Sequence, residues 1–503
     1  MTNSWQILIN DSLGGLAPRY YQSGYPSYGN ANHAGQMLNM DLTDPNGFSQ
    51  GPGLSTLTNG TQSVVTSVLN SILKHAVTSN TTYGIGGNKL HKISSTTVTN
   101  SGIWPHTFSS LGSEVGEDVC YYQGNLYYSF NEAGGGDIGK YDLNTTFTDN
   151  WGSTIPTGHA LLTAGVPHQM MVSWSDKMYF TNGRYVGYYD GSTYAPQNLV
   201  LPLNSVAVAI TGNSGQIYIG VNMPNVSGNN KNRAVIYIWD GATSTWTTEI
   251  IVMGRIGGMH VKNGVVFFFY EDVSNVGGYK LAYLSGTQVV DVANYSGGLP
   301  SYSEVCDYKD FIIWNAASLN ALWSYTTFPW QLTSPWTATT GDDLIYAFGS
   351  GDVSLPTRMF QLADSGYTTA GGIAAPFGNV MISSTDGSNI KLAQFSGYDT
   401  NSKWKSMVFD LVGLGKITKL DQVNITFEQL TTGARVDFVI RDNCGKIIFS
   451  DSISYSRMGA VSTYQAFTNG LVINNFRIEF DYTNGSTSNT VKVKTVKFYG
   501  ISQ

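Results

Sequence analysis

Short apolar runs separated by Gly, Asn and Asp recur along the middle of the chain. The clearest copies are "GNLYYSFNEAGGGDIGKYDLN", "DKMYFTNGRYVGYYDGSTY", "GQIYIGVNMPNVSGNNKNRAVIYIWDGATSTW" and "NGVVFFFYEDVSNVGGYKLAYLSGTQ". Each combines a polar turn, a short apolar strand and a second strand that ends near Gly or Asp. Weaker copies include "YGIGGNKLHKIS", "DDLIYAFGSGDVSLPTRMFQLADSG" and "GNVMISSTDGSNIKLAQFSG". The pattern indicates a repeated β unit.

The spacing of these copies predicts a β-propeller over residues 58–395. Equivalent points in successive copies lie 33 to 52 residues apart, and they are Leu126, Met178, Ile217, Val266, Phe311, Leu344 and Val380. A propeller blade takes roughly 40 to 50 residues. A four-stranded sheet that is apolar on both faces is unstable alone and becomes stable when blades stack around an axis. The length predicts seven blades, with six or eight as open alternatives.

Residues 176–194 predict how one blade packs. Asp190 and Gly191 should form a hairpin turn, because glycine takes a positive φ without penalty. Alternation should direct two sets of side chains to opposite neighbouring blades: Tyr179, Val186 and Tyr188 to one, and Met178, Phe180 and Tyr189 to the other. Residues 61–77, "TQSVVTSVLNSILKHAV", fit a helix and a strand equally well.

The two flanks of the propeller differ from it. Residues 1–57 are rich in Gly, Pro, Asn and Tyr and predict an extended N-terminal arm that lies on its own domain or on a neighbouring subunit. Residues 396–503 alternate cleanly in "FRIEFDYT", "VNITFEQL" and "RVDFVIRD", which predicts an antiparallel β-sandwich or jelly roll. We expect Trp404 and Phe409 to begin its core, and Lys492 and Lys494 to protect a strand at its edge.

Composition supports an all-β chain of 503 residues. Charged residues make up 12%, aromatic residues make up 13% and glycine numbers 57, a mixture that favours strands and tight turns. A net charge of -7 argues against electrostatic binding to nucleic acid. Residues 396–503 carry 12 of the 27 Lys and Arg but 9 of the 34 Asp and Glu, so they are +3 and the remainder is -10. This shift predicts a domain boundary near Ser396.

Targeting and redox signals are weak. The beginning, "MTNSWQILINDSLGG", lacks the basic start and apolar run of a signal peptide, and we expect neither a signal peptide nor a transmembrane segment. Three cysteines, Cys120, Cys306 and Cys444, lack metal-site spacing and are expected to be small buried residues. The seven histidines never occur at ligand spacing, so we expect no metal and no cofactor.

Two acidic clusters and two tryptophans are the candidate chemistry. Glu114, Glu117 and Asp118 lie in "SEVGED", and Glu271 and Asp272 lie in "YEDV". Either cluster could supply the acid and base of a glycosidase, but loop carboxylates are more often only solvated. Trp330 and Trp336 in "FPWQLTSPWTATT" could contact a glycan or a partner, or could simply cover the rim of the propeller.

The arm and the blades together resemble a known group of proteins. "MLNMDLTDPNGFSQGPGLSTLTNG", followed by "GNLYY", "YVGYYDGSTY" and "YIWDGATSTW", is similar to the β-propeller virion proteins of tailed bacteriophages, and most similar to tail nozzle and tail-tip components. The resemblance covers the organisation of residues 1–395. The C-terminal sandwich, less typical of nozzles, resembles accessory β-domains that contact neighbouring proteins or the host surface. No catalytic residue is implied.

Two functions follow as expectations. The first is a structural virion protein, not an enzyme, made in the host cytoplasm. It is expected to form a ring-shaped homo-oligomer in the phage tail, with subunits packed through the arm and the propeller faces, and to contact neighbouring tail proteins. The alternative is a glycan-binding or glycan-cleaving propeller, acting as a phage receptor-binding protein or a secreted carbohydrate-active protein. Deleting residues 1–57 should abolish the ring and leave the propeller folded under the first. Trp330→Ala, Glu117→Gln or Glu271→Gln should impair sugar binding or cleavage under the second.

Overall fold

A computed structural model of the chain describes 21 stretches of residues: 3–9, 34–38, 40–41, 47–57, 65, 67–108, 114–132, 135–154, 170–223, 233–273, 278–296, 298–309, 311–316, 321–326, 357–361, 369–386, 389–406, 409–410, 418–442, 446–473 and 475–502. The N-terminal strands are β1 (Asn3–Ile9), β2 (Ala34–Leu38), β3 (Met40–Asp41), β4 (Ser49–Gln50) and β5 (Pro52–Thr56). The helices of the described residues are the single turns α1 (Trp151–Thr154) and α2 (Tyr455–Met458), and none is long enough to cross a bilayer.

Seven four-stranded antiparallel sheets, here called blades 1 to 7, form the described part of the propeller. Blade 1 contains β6 (Ser71–Ile72), β7 (Thr82–Gly86), β8 (Lys89–Ile93) and β9 (His106–Thr107). Blade 2 contains β10 (Val115–Tyr122), β11 (Asn125–Glu132), β12 (Gly135–Tyr141) and β13 (Phe147–Thr148). Blade 3 contains β14 (Met171–Trp174), β15 (Lys177–Asn182), β16 (Tyr185–Tyr189) and β17 (Tyr194–Val200). Blade 4 contains β18 (Val206–Asn213), β19 (Gln216–Met223), β20 (Arg233–Trp239) and β21 (Thr248–Val252).

The remaining blades follow the same order. Blade 5 contains β22 (Ile256–Lys262), β23 (Val265–Glu271), β24 (Gly278–Ser285) and β25 (Gln288–Ser296). Blade 6 contains β26 (Val305–Tyr308), β27 (Phe311–Ala316), β28 (Ala321–Thr326) and β29 (Thr357–Gln361). Blade 7 contains β30 (Thr369–Ala374), β31 (Met381–Asp386) and β32 (Asn389–Tyr398), and β5 from the N-terminal part completes it.

The ring of blades is closed. The first strand of each blade contacts the first strand of the next, and β30 of blade 7 contacts β6 of blade 1. In blade 7, β5 pairs antiparallel with β32, so that Leu54 lies opposite Phe395. The outer strand therefore comes from the N-terminal part of the chain and the three inner strands come from a point more than 300 residues later. These contacts confirm the predicted propeller and fix seven blades.

Apolar clusters fill the interfaces between blades, as residues 176–194 illustrate. Tyr179 and Val186 are buried with Ile210 and Ile219 of blade 4, and Tyr188 packs against the same cluster. The opposite face of the sheet packs against blade 2 through a second set: Met178, Phe180 and Tyr189, with Cys120, Tyr127 and Ile138. Gly191 follows with φ +97, and the Asp190 carboxylate accepts hydrogen bonds from Ser192 N and Thr193 N. The predicted alternation and turn are confirmed.

Two details of the repeat differ from expectation. Leu344 was expected to mark a blade of its own, but it lies outside the described residues, between β28 and β29, which pair within blade 6. The seventh blade of the ring is instead blade 1, which contains Thr82–Gly86. Of residues 61–77, the structure describes residues 65 and 67–77, which contain the short strand β6 and no helix.

The C-terminal part forms a two-layered sandwich. Its strands are β33 (Lys403–Ser406), β34 (Phe409–Asp410), β35 (Thr418–Phe427), β36 (Arg435–Arg441), β37 (Ile447–Ser454), β38 (Thr463–Val472), β39 (Asn475–Asp481) and β40 (Val493–Ser502). The first sheet has the order β1-β40-β35-β38, and the second has the order β2-β33-β39-β36-β37 with β34 beside β39. Trp404, Phe409, Phe476, Ile478 and Phe480 are buried between the sheets, which confirms the predicted core.

The N-terminal arm supplies one strand to each sheet of the sandwich. β1 pairs with β40, and β2 pairs with β33. The described parts of the arm therefore lie on their own chain, which is one of the two arrangements expected from the sequence. The prediction that the strand with Lys492 and Lys494 lies at an edge is wrong. β35 pairs along one side of β40, while on the other side β1 pairs with residues 496–502 and Phe48 forms a β-bridge with Val493.

Residues 48–51 join the sandwich to the propeller. The Phe48 ring stacks on Trp404 with the ring centroids 4.5 Å apart. The buried side-chain amide of Gln50 donates to the carbonyl oxygens of Asp399 at 3.1 Å and Ser486 at 3.4 Å. Gly51 N donates to Ser402 Oγ at 3.2 Å. This short segment therefore packs on the sandwich immediately before β5 enters blade 7.

Candidate functional site

The first strands of the blades line the central axis, and a 3₁₀ turn of residues Tyr302–Glu304 lies across it. This turn precedes blade 6 but contacts β6, β18, β22 and β30. Its close approach to blade 5 requires glycine, because a Cβ on Gly257 would lie 2.3 Å from Pro300 O and one on Gly258 would lie 2.8 Å from Ser301 O. The Gly-Gly pair thus makes room for a segment that partly fills the channel.

Tyr302 connects three blades across the channel. Lys74, just after β6 of blade 1, donates from Nζ to Tyr302 O at 3.2 Å, and this ammonium group lies 4.3 Å from the centroid of the Tyr302 ring. The Tyr302 hydroxyl donates to Met171 O of blade 3 at 3.3 Å. Burial lowers the pKa of Lys74, although the negative charge of Asp118 partly offsets this effect.

Asp118 makes a second connection around the axis. One carboxylate oxygen accepts from Ser71 Oγ of blade 1 at 2.6 Å and from Val119 N at 2.8 Å. The other oxygen accepts from Met171 N of blade 3 at 2.8 Å. Burial raises the pKa of Asp118 to about 6, against the opposing effect of these hydrogen bonds and of Lys74. One carboxylate therefore ties three successive blades together.

A third polar group joins blades 5 and 6. Asp307 Oδ1 lies 2.9 Å from Lys262 Nζ and 3.0 Å from His260 Nε2. Burial lowers the pKa of His260. The pKa of Asp307 is lowered by its contacts with His260 and Lys262, in spite of its own burial. The pairing keeps the charges of adjacent first strands compensated.

A cavity of about 160 Å³ lies between blades 1, 2 and 3 beside Tyr302. It is lined by residues including Lys74, His75, Cys120, Met171 and Ser173. The cavity is large enough for a few water molecules or a small ligand. Lys74 and Asp118, which line the cavity, already bond to other parts of the ring. These two groups therefore stabilise the ring of blades, and neither is free to act as an acid or a base on a substrate.

The predicted acidic clusters lie in different blades. Asp118 faces the channel from β10, where a β-bulge at Glu117 shifts the pairing with β11. Glu271 ends β23 in blade 5 and forms a two-point ion pair with Arg255, in which Arg255 Nε lies 2.9 Å from Oε2. Asp272 lies 3.9 Å from Lys280 Nζ. The sequence identified Asp118 as a candidate, but as a possible acid or base and not as a tie between blades.

The other predicted residues have ordinary surroundings or lie outside the described residues. Trp330, Trp336 and Cys444 belong to the latter group. Cys120 and Cys306 are buried free thiols, as expected, and burial raises the pKa of both. Within the described residues, no group of three or more His, Cys, Asp and Glu side chains could hold a metal ion.

Sequence reasoning missed the role of Tyr302. The segment "SYSEVCDYKD" resembles any connection between strands, and nothing in it marks a residue that crosses the axis. The sequence feature that could have revealed this contact lies in β22, where two consecutive glycines, Gly257 and Gly258, indicate the close approach of another backbone.

Comparisons with known proteins give likenesses of fold. No family model matches the chain, and no curated protein matches it. Among solved structures, a chain of the mitotic checkpoint complex is 13% identical, with a TM-score of 0.43 over 71% of this chain and 97% of that one. YCF48 from Cyanidioschyzon merolae is 10% identical, with a TM-score of 0.41 over 68% of this chain and 98% of that one.

One further likeness covers a larger share of this chain. An exo-β-1,3-galactanase from Phanerochaete chrysosporium is 12% identical, with a TM-score of 0.30 over 90% of this chain and 100% of that one. Likenesses at this level of identity and TM-score carry no argument about activity, ligand or partner. The function must therefore be argued from the residues of this chain.

Proposed function

We propose that this chain is a structural protein of a tailed bacteriophage virion, one subunit of a ring-shaped homo-oligomer in the tail. The observation that carries the proposal is the course of the N-terminal chain, which adds β1 and β2 to the sandwich and β5 to the propeller. The same segment therefore contributes strand pairing to both domains. A subunit that resists force in an assembled particle benefits from such closure.

The polar groups of the channel support a structural role. Tyr302, Asp118 and Asp307 each join different blades through hydrogen bonds or ion pairs. A glycosidase would need two carboxyl groups about 5 to 10 Å apart that face one bound sugar. Asp118 instead directs both carboxylate oxygens at groups of blades 1, 2 and 3.

The strand pairings change how the arm must be tested. Removal of residues 1–57 would delete the outer strand of blade 7 and a strand of each sandwich sheet, so loss of assembly could reflect unfolding alone. A Gly/Ser sequence of equal length in place of residues 10–33 retains β1, β2 and β5. It removes the Tyr-rich segment that is proposed to contact neighbouring subunits.

We expect the purified wild-type protein to form a ring, and the Gly/Ser variant to be a folded monomer by native mass spectrometry. A matched control replaces residues 226–231, between β19 and β20, with Gly/Ser and should retain the ring. A variant that assembles as well as the wild type would exclude assembly through the arm. A wild-type protein that stays monomeric at high concentration and within the particle would exclude the ring itself.

A further inference from the structure

The outer face of the first sandwich sheet is a broad surface with an unusual composition. Along β1, Ile7 and Ile9 are buried, whereas Gln6 and Leu8 face outward, with Leu8 39% exposed. The same alternation buries Val423 and Ile425 of β35 and Val496 and Phe498 of β40. The outward residues of β1, β40, β35 and β38 form what we call the platform.

The register of the four strands places two aromatic rings in one row across the platform. Gln6 lies opposite Tyr499, Tyr499 lies opposite Gln422, and Gln422 lies opposite Phe467. The row thus reads Gln6, Tyr499, Gln422, Phe467. Tyr499 and Phe467 are separated by one intervening strand, which corresponds to about 10 Å between their backbones. Phe467 is 66% exposed, far more than a phenylalanine in a packed sheet.

Amide and hydroxyl groups occupy the neighbouring rows. One row contains Leu8, Lys497, Asn424 and Gln465, and the next contains Thr495, Thr426 and Thr463. Gln422 Nε2 donates to Asn424 Oδ1 at 2.5 Å, and the hydroxyls of Thr426 and Thr495 lie 2.5 Å apart. These bonds hold several polar groups in fixed orientations beside the aromatic row. Lys497 is the charged residue within these three rows, and they contain no carboxylate.

We propose that the platform binds an extended, neutral polysaccharide. One face of a hexose ring presents C–H groups that pack on an aromatic ring, while its hydroxyls pair with amides and hydroxyls. Two aromatic residues on strands whose backbones are about 10 Å apart can each hold a sugar of the same chain, with Gln422 between them. An open sheet face without a cavity suits an extended chain better than it suits a compact small molecule.

The composition favours a glycan over a protein partner. A protein interface is centred on an apolar core from which charged and polar groups are largely displaced. The three rows instead intersperse their two rings with amides, and their lack of carboxylates leaves them free of repulsion toward a neutral or weakly acidic chain. The inference goes beyond the proposed virion role and stands or falls without it, because it concerns the purified protein alone.

Affinity electrophoresis of the full-length protein in native gels tests the proposal. The probes are mixed-linked β-glucan, hydroxyethyl cellulose and galactan as neutral polysaccharides, and alginate as an acidic one. We expect at least one neutral polysaccharide to retard the wild type. Tyr499→Ala or Phe467→Ala should weaken binding about tenfold, and the double variant should abolish it. Tyr499→Phe should retain most of the binding.

Ile447→Ala provides the matched control. Ile447 is 50% exposed, like the platform residues, but it lies on β37 at the edge of the other sheet. Its replacement should leave retardation unchanged, and thermal unfolding should show that all variants remain folded. The proposal is overturned if no neutral polysaccharide retards the protein, or if the double variant binds as well as the wild type. It is equally overturned if alginate alone binds, or if the platform variants change only the oligomeric mass, which would identify an interface between copies.

Discussion

Asp118 shows how a single residue can resemble a catalytic group and serve another purpose. Its carboxylate accepts hydrogen bonds from Ser71, Val119 and Met171, and thereby joins blades 1, 2 and 3 beside the axis. Burial of this group carries a free-energy cost that appears as its raised pKa of about 6. The same group therefore supplies cohesion and makes stability depend on pH.

We predict that Asp118→Asn removes a defined part of this pH dependence. A folded-state pKa of about 6, above the ordinary value of 3.8, means that the folded protein binds the proton more tightly. Protonation of Asp118 therefore adds to the free energy of unfolding below about pH 4, and this contribution is lost as the pH rises toward about 6. Between these limits the wild type should lose roughly 3 kcal/mol of unfolding free energy relative to the variant. Urea denaturation across this pH range measures the difference.

Asp190→Asn is the matched control for that experiment. The exposed Asp190 carboxylate accepts backbone hydrogen bonds from Thr193 and Ser192, which lower its pKa to about 2. Asp190 stabilises the folded protein in its ionised form, so its contribution to the free energy of unfolding is present above about pH 4 and is lost as the pH falls toward 2. This pH dependence is opposite to that of Asp118. Parallel stability curves for the wild type and Asp118→Asn between pH 4 and pH 6 would show that Asp118 does not titrate there.

The side of the sheet to which each side chain of a blade points was predictable, whereas the contacts across the axis were not. Met178 and Tyr179 were assigned to opposite neighbouring blades because alternation along a strand is a local property of the sequence. Tyr302 crosses to Lys74 and Met171, which are distant in sequence, so no local pattern could identify these partners.

Strands from the N-terminal arm determine how both domains are completed. β1 lies beside β40 of the sandwich, and β5 lies beside β32 of blade 7. Clean alternation in residues 475–481 was enough to predict a sandwich strand. The arm was harder to assign, because its strands pair with residues several hundred positions away. The same return of the chain explains why the segment with Lys492 and Lys494 is not an edge.

We predict that β1 stabilises the sandwich through its inward side chains. Ile9 is fully buried and Leu8 is 39% exposed on the opposite face of the same strand. Ile9→Ala should lower the unfolding free energy by about 2 to 5 kcal/mol, because it leaves a cavity in the core. Leu8→Ala should change it by no more than about 0.5 kcal/mol. Equal effects of the two substitutions in chemical denaturation would contradict the pairing of β1 with β40.

At the scale of the whole molecule, one segment connects the propeller and the sandwich. Phe48 stacks on Trp404, and Gln50 bonds to the backbone of Asp399 and Ser486, before β5 completes the ring. This continuity suits a subunit that must transmit force without opening. The number of blades was predictable from the repeat length. The completion of blade 7 by β5 was not, because β5 pairs with β32, more than 300 residues away, and no local pattern marks that pairing.

Imaging of the phage particle proposed to contain this protein tests the virion role most directly. Cryo-electron microscopy should show a ring of identical subunits in the tail, each with a seven-bladed propeller and an adjoining sandwich. Mass spectrometry of the same purified particles should detect the chain at a matching copy number. Absence of the chain from washed particles, or its presence as single copies without contacts between propellers, would contradict the proposal.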